Sequence, residues 1–131
     1  MKNLQITAYM QHFIRQQVMP GDICIDATMG NGNDTVLLSQ LAGKRGRVLA
    51  FDIQKQALEH TKERLKRDNC PENYQLLLES HENMDVYAGA ETVSCITFNL
   101  GYLPGGDHSV ATRADTVSYT HLRAHETSQD L

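Results

Sequence analysis

Four short apolar runs, each ending at a polar or glycine-bearing turn, set the limits on what this chain can fold into. They are Ile23-Cys24-Ile25 before Asp26, Val48-Leu49-Ala50-Phe51 before Asp52, Tyr74 to Leu78, and Val93 to Phe98. Runs that are apolar at consecutive positions, without alternation, suit strands buried on both faces, as in parallel sheets. Between them the period changes. From Leu4 to Val18 the residues Ile6, Met10, Phe13, Ile14 and Val18 follow a helical spacing that Met19-Pro20-Gly21-Asp22 stops. Val36, Leu37, Leu38 and Leu41 predict a second helix ending near Gly43, with Asn33 or Asp34 as its N-cap. Gln54 to Asn69 predicts a charged helix burying Ala57, Leu58, Thr61 and Leu65 and closed by Cys70-Pro71, and a short helical stretch runs from Asn83 to Ala88. Strands alternating with helices predict an α/β, doubly wound parallel sheet with helices on both faces, right-handed crossovers and strand order 3-2-1-4.

With 131 residues, one core is expected. Twelve Lys and Arg against sixteen Asp and Glu give a net charge of -4, which argues against a protein coated in basic residues for nucleic acid but leaves room for a local patch. No stretch approaches the roughly 18–20 apolar residues of a membrane span, and Met1-Lys2-Asn3-Leu4-Gln5 lacks the apolar run of a signal peptide. The three cysteines, Cys24, Cys70 and Cys95, are far apart with no C-x-x-C, so neither a disulfide framework nor a metal site is expected. These bounds describe a cytoplasmic, reduced single domain with no membrane partner.

The last fifteen residues, Val117 to Leu131, break the pattern. They read either as a helical tail or as a foreign end, and the second is preferred because SYTHLRAHETSQDL resembles the translated sequencing-adapter read-through found at the ends of metagenome-derived genes. On that reading residues 117–131 are non-native, a fifth strand is missing, and the edge of strand four is open along Val93 to Phe98. Such an edge invites aggregation or a homodimer.

The first chemical constellation is Asp26-x-x-x-Gly30-x-Gly32, between a buried strand and a helix. Glycines there let the backbone approach a ligand, and ligands of such sheets sit at the carboxyl ends of the strands. A tight turn with no ligand is the alternative. Asp52, ending the second strand, is placed to accept both hydroxyls of a ribose, or to cap the helix that follows, or both. A nicotinamide dinucleotide site would need a third glycine where Thr35 stands. That gap, with the acid at Asp26, favours S-adenosyl-L-methionine.

The segments GDICIDATMGNGNDTVLLSQLAG, VLAFDIQKQAL, SHEN and NLGYLPGGDHSVATRADT together closely resemble a bacterial family of class I methyltransferases, formerly described as putative rRNA methylases and associated with methylating the wobble 5-aminomethyl-2-thiouridine of tRNA. The resemblance runs from about Gly21 to Thr116. It implies a Rossmann-like class I fold, incomplete at the C-terminus, with residues 1–116 as the N-terminal part of the methyltransferase domain. It also implies S-adenosyl-L-methionine as cofactor and tRNA as substrate, with ribosomal RNA, a small amine, or an inactive cofactor-binding fragment as alternatives. Carried over residue by residue, Asp26, Gly30 and Gly32 would line the methionine end of the cofactor, Asn33 would also bind it, Asp52 would hold its ribose, and Ser80 and His81 would approach the adenine. His81 reads equally as an exposed turn histidine.

Asn99-Leu100-Gly101-Tyr102 resembles the N-P-P-Y signature of amino-group methyltransferases, which implies catalytic roles for Asn99 and Tyr102. A side-chain amide oxygen can accept an amine N–H, and a flat phenol can stack on a base. The alternative is that Asn99 caps the strand and Tyr102 packs on the loop. Asp107 and His108 read as exposed loop polarity. Lys62, Arg64, Lys66 and Arg67, near Glu59 and Glu63, read as a solvated salt-bridged helix face, and Lys44, Arg45 and Arg47 form a second basic cluster.

Overall fold

A computed structural model describes residues 2–88, 93–100 and 108–112, with side chains described for 8–88 and 93–98. The chain runs through helix α1 (Lys2–Gln17), strand β1 (Ile23–Asp26), α2 (Asn33–Ala42), β2 (Arg47–Asp52), α3 (Lys55–Arg67) and β3 (Tyr74–Leu78). A single 3-10 turn (His81–Asn83) leads into α4 (Met84–Ala88), β4 (Cys95–Leu100) and β5 (His108–Thr112). The five strands form one sheet in the order β3-β2-β1-β4-β5.

The four apolar runs form the parallel part of the sheet. Ile23 to Asp26 lie beside Arg47 to Ala50, and Cys24 to Asp26 beside Cys95 to Thr97. Successive side chains point to opposite faces, which divides each run between two cores. Ile25, Leu49 and Ile96 pack with Phe51, Met84, Ala88 and Phe98 under α4. Cys24, Val48 and Cys95 pack with Ile14 and Val18 at the end of α1 and with Leu37, Leu38 and Ala42 of α2. Helix α3 lies against α2, β2 and β3. Cys24 and Cys95 are register neighbours, and burial pushes both thiols up, Cys95 to about 12, so they act as small core hydrophobes.

The sheet departs from the expected one at its far edge. A fifth strand is present: β5 pairs antiparallel with β4, from Leu100 opposite His108 to Ile96 opposite Thr112. The edge of β4 is therefore covered, the sheet is mixed, and the argument for pairing copies along an open β4 loses its premise. His108 opens a strand instead of sitting in a loop. A run with one large aliphatic side chain, Val110, in five residues gives little apolar signal of its own, so the strand is recruited by its partner's backbone.

Smaller differences have local causes. Helix α2 is capped by Gly32 in the left-handed conformation, φ +87°, with no side-chain cap, in place of the expected Asn33 or Asp34. The Asn31 side chain supplies the missing acceptor, taking the Asn33 N–H at 3.1 Å. Leu58 is half-buried while Ala57, Thr61 and Leu65 form the buried stripe of α3. That helix ends at Arg67, two residues early, because Asn69 turns to φ +54°. Strand β4 begins at Cys95 and continues through Asn99, so Asn99 lies within the strand rather than after it. Tyr102 and the segment 117–131 lie outside the described residues.

Candidate functional site

The loop from Ala27 to Gly32 leaves the carboxyl end of β1, and main-chain hydrogen bonds fix it to β2 and β4. Ala27 N–H donates to the Thr97 carbonyl and Met29 N–H to the Phe51 carbonyl, both at 2.8 Å, while Gly32 N–H closes a turn on the Met29 carbonyl at 2.7 Å. Met29 is buried and anchors the loop as an apolar plug. Gly30 takes φ +50° and Gly32 φ +87°, conformations costly for any residue with a Cβ. Gly32 has a second constraint, since a Cβ there would lie 3.0 Å from the Thr61 Cα and Oγ1 on α3.

Asp52 sits where β2 ends. Its Oδ2 accepts the Gly30 N–H at 3.1 Å, and its Oδ1 accepts the Gln54 N–H at 2.9 Å at the start of α3. One carboxylate thus ties the glycine loop to the turn after β2, while the N-cap of α3 is Gln54 and not Asp52. Each oxygen still has a lone pair for a further donor. Beside it lies a cleft of about 190 Å³ lined by Ala27, Thr28, Asp52, Ile53, Glu79, Ser80 and His81. Ile53 is 75% exposed, an apolar side chain on the rim with nothing covering it. Ser80 caps the 3-10 turn, its Oγ accepting the Glu82 N–H at 3.2 Å. The His81 ring meets Phe98 edge-on, with centroids 5.7 Å apart, so it is a packed wall of the cleft and not a free turn histidine.

Of the residues singled out in the sequence, Asp52, Ser80 and His81 come together on this cleft. Gly30 borders it through its hydrogen bond to Asp52. Asp26, Gly32 and Asn33 do not line it. Asp26 is fully buried beneath the loop, where its Oδ2 accepts the Thr35 hydroxyl at 2.6 Å and its Oδ1 the Thr28 N–H at 3.2 Å. Burial, with the nearby charge of Asp34, pushes its carboxyl up to about 7 against the opposing pull of those hydrogen bonds. Burial also raises Asp34. Gly32 is spent on packing against Thr61, and Asn33 opens α2. Asn99 lies in β4 opposite Ser109.

Four residues lining the cleft were missed in the sequence: Ala27, Thr28, Ile53 and Glu79. For Ile53 a signal existed, an apolar residue directly after Asp52 in a polar turn. Among the described residues no group of three or more His, Cys, Asp or Glu is placed to hold a metal ion, and no helix is long and apolar enough to cross a membrane.

Known proteins resemble this chain in sequence and fold. The chain is 39% identical over 119 residues to the tRNA (mnm(5)s(2)U34)-methyltransferase, chloroplastic, of Arabidopsis thaliana, a match that takes in 81% of this chain and 42% of that protein. It thus spans about two fifths of the length of this curated relative. Among solved structures, SMU.1697c of Streptococcus mutans, a putative methyltransferase in complex with SAH, superposes with a TM-score of 0.68 at 41% identity, covering 93% of this chain and 63% of that one. A putative rRNA-methylase from Clostridium thermocellum superposes with a TM-score of 0.65 at 30% identity, covering 72% and 68%. The family described as Putative rRNA methylase matches residues 48–126, a stretch that reaches into the segment 117–131. The four-strand parallel sheet, its helices and its glycine loop are therefore those of a Rossmann-like class I fold, and the chain belongs to the Putative rRNA methylase family.

Proposed function

We propose that this chain is part of an S-adenosyl-L-methionine-dependent N-methyltransferase, working in the cytoplasm on the aminomethyl group of a wobble 5-aminomethyl-2-thiouridine in tRNA. The observation that carries the proposal is the cleft in which a carboxylate, Asp52, stands beside the uncovered apolar side chain of Ile53 at the ends of β2 and β3. An acceptor for vicinal hydroxyls next to an apolar surface for a flat ring is the shape of a nucleoside. The name of the 39% identical relative supplies the substrate.

When bound, the cofactor supplies a methyl group on a positive sulfonium, open to in-line displacement by a nitrogen lone pair. The residues of this chain do the positioning, from which much of the rate of such a reaction comes. Asp52 accepts the ribose hydroxyls on the lone pairs left free by Gly30 and Gln54. Ile53, Ser80 and His81 enclose the adenine. Gly30, Gly32 and Asn33 shape the backbone at the methionine end, and Asp26 holds that loop through Thr28 and Thr35. Asn99 accepts an N–H of the substrate amine and so aims its lone pair, while Tyr102 stacks on the uracil ring. An alkyl amine is mostly protonated in water, and a partly desolvated seat favours its neutral, nucleophilic form.

A second reading, methylation of ribosomal RNA, is favoured by the description of the family itself. Transfer of labelled methyl from S-adenosyl-L-methionine separates the two. The expected acceptor is tRNA bearing 5-aminomethyl-2-thiouridine, with none on unmodified tRNA. Labelling of ribosomal RNA instead would overturn the assignment. S-adenosylhomocysteine binding without transfer to any RNA would leave the chain a cofactor-binding fragment.

A further inference from the structure

His60, Arg64 and Arg67 lie on one face of α3, at spacings of four and three residues. With Glu63 and with Asn31 of the glycine loop they line a second cleft of about 240 Å³. Arg64 is the organised member. Its Nη1 donates to the Asn31 carbonyl at 3.5 Å, which turns the guanidinium toward the loop. Its Nε is shut off from solvent with no hydrogen-bond partner among the described residues. Among the described residues Arg67 has one weak counter-charge, Asp68 at 3.7 Å, and its side chain is 64% exposed. The cleft thus offers two guanidinium forks and an imidazole against the one carboxylate of Glu63. Planar forks of this kind match the paired oxygens of a phosphate.

Position decides which phosphate. Asn31 follows Gly30, whose N–H is held by Asp52 in the first cleft, so both clefts border one loop. The other basic cluster, Lys44, Arg45 and Arg47, stands before and at the start of β2, at the opposite ends of the strands. We infer that the Asn31–Arg64–Arg67 cleft seats a backbone phosphodiester of the RNA whose base enters the site beside it. The inference rests on the RNA-methyltransferase reading.

The test is fluorescence anisotropy of the whole chain with labelled tRNA across a salt series, together with calorimetry of S-adenosylhomocysteine. The double variant Arg64→Gln/Arg67→Gln is expected to bind tRNA about tenfold or more weakly, and to lose about 1–2 from the slope of log K against log salt, as the loss of one or two phosphate contacts requires. Glu63→Gln is expected to tighten tRNA binding, a gain that misfolding cannot produce. Lys44→Gln/Arg45→Gln should leave the slope unchanged. A parental slope in the double variant, absence of salt-dependent tRNA binding by the parent, no gain in Glu63→Gln, or loss of slope in the Lys44/Arg45 variant would each overturn the seat. Inorganic phosphate at constant ionic strength is expected to compete only at millimolar levels, and micromolar binding of it would reassign the cleft to a free anion. Failure of the parent to bind S-adenosylhomocysteine, with the slope changes intact, would instead sink the methyltransferase reading and spare the phosphate seat.

Discussion

Gly32 and Thr61 are in such close contact that a single added methyl on the glycine would stand 3.0 Å from both the Cα and the Oγ1 of the threonine. The two residues belong to the glycine loop and to α3, and their contact sets how closely the helix approaches the loop. Gly32→Ala combines this clash with a left-handed φ of +87°, so it is expected to cost about 2–4 kcal/mol in urea unfolding. A loss below about 1 kcal/mol would mean that the loop can move off α3 freely.

Asp52→Ala removes the acceptor proposed for the ribose and also frees the N–H groups of Gly30 and Gln54. S-adenosylhomocysteine should bind more weakly by about 1–3 kcal/mol, roughly five- to 150-fold, with a lower melting temperature in the same variant. An unchanged dissociation constant in calorimetry would take Asp52 out of the site.

Asp26 should give the protein a characteristic pH response. Its folded pKa of about 7 lies above the unfolded value near 4, so the folded state holds a proton that the unfolded state has released. Its contribution to stability is complete below about pH 4 and is lost as pH rises toward 7. Melting temperature should therefore fall between about pH 4 and pH 7, and Asp26→Asn should shrink that fall. Parallel pH profiles for parent and variant would contradict the assignment.

Asn99→Ala should separate binding from chemistry. If the side chain meets the substrate amine chiefly in the transition state, cofactor affinity stays near parental while the rate constant for methyl transfer drops by orders of magnitude. Single-turnover rates on aminomethyl-bearing tRNA decide it, and a parental rate removes Asn99 from catalysis.

The parts of the fold legible in the sequence were those written in burial. Ile23-Cys24-Ile25 and Val48 to Phe51 are apolar on both faces because helices cover both faces, and no tertiary knowledge is needed to see it. Strand β5 was not legible, since His108-Ser109-Val110-Ala111-Thr112 is held by backbone pairing to β4 and carries little apolar signal. The helix cap was misplaced because Asn33 has the right chemistry, while the geometry that decides it, φ at Gly32, leaves no mark beyond a glycine. Asp26 and Asp52 look alike in sequence, each an acid closing an apolar run. Thr35, nine residues on, supplies the hydroxyl that fixes Asp26 beneath the loop, while Asp52 remains on the cleft. Asn73 gave no warning at all. Its amide takes the Ser39 hydroxyl at 2.7 Å and donates to the carbonyls of Ser39 and Gly43 at 3.0 and 2.8 Å, locking the end of α2 to the start of β3.

The order of the strands also has a temporal meaning. β1, β2 and β3 are joined by short crossovers and can assemble from neighbouring sequence, and β4 meets β5 across a short connection. The seam between β1 and β4 is different, for it joins Cys24 to Cys95 across the whole of the first unit. Distant pairings close late, and a nascent chain folds from its N-terminus. On the ribosome, β1 is expected to wait with one flank unzipped until β4 emerges, with the glycine loop half-moored in the interval. In pulse-labelled hydrogen exchange the Met29 amide, bonded to Phe51, should gain protection before the Ala27 amide, bonded to Thr97. The glycine loop is then the last thing to set, a latch closed by the arrival of the second half of the sheet.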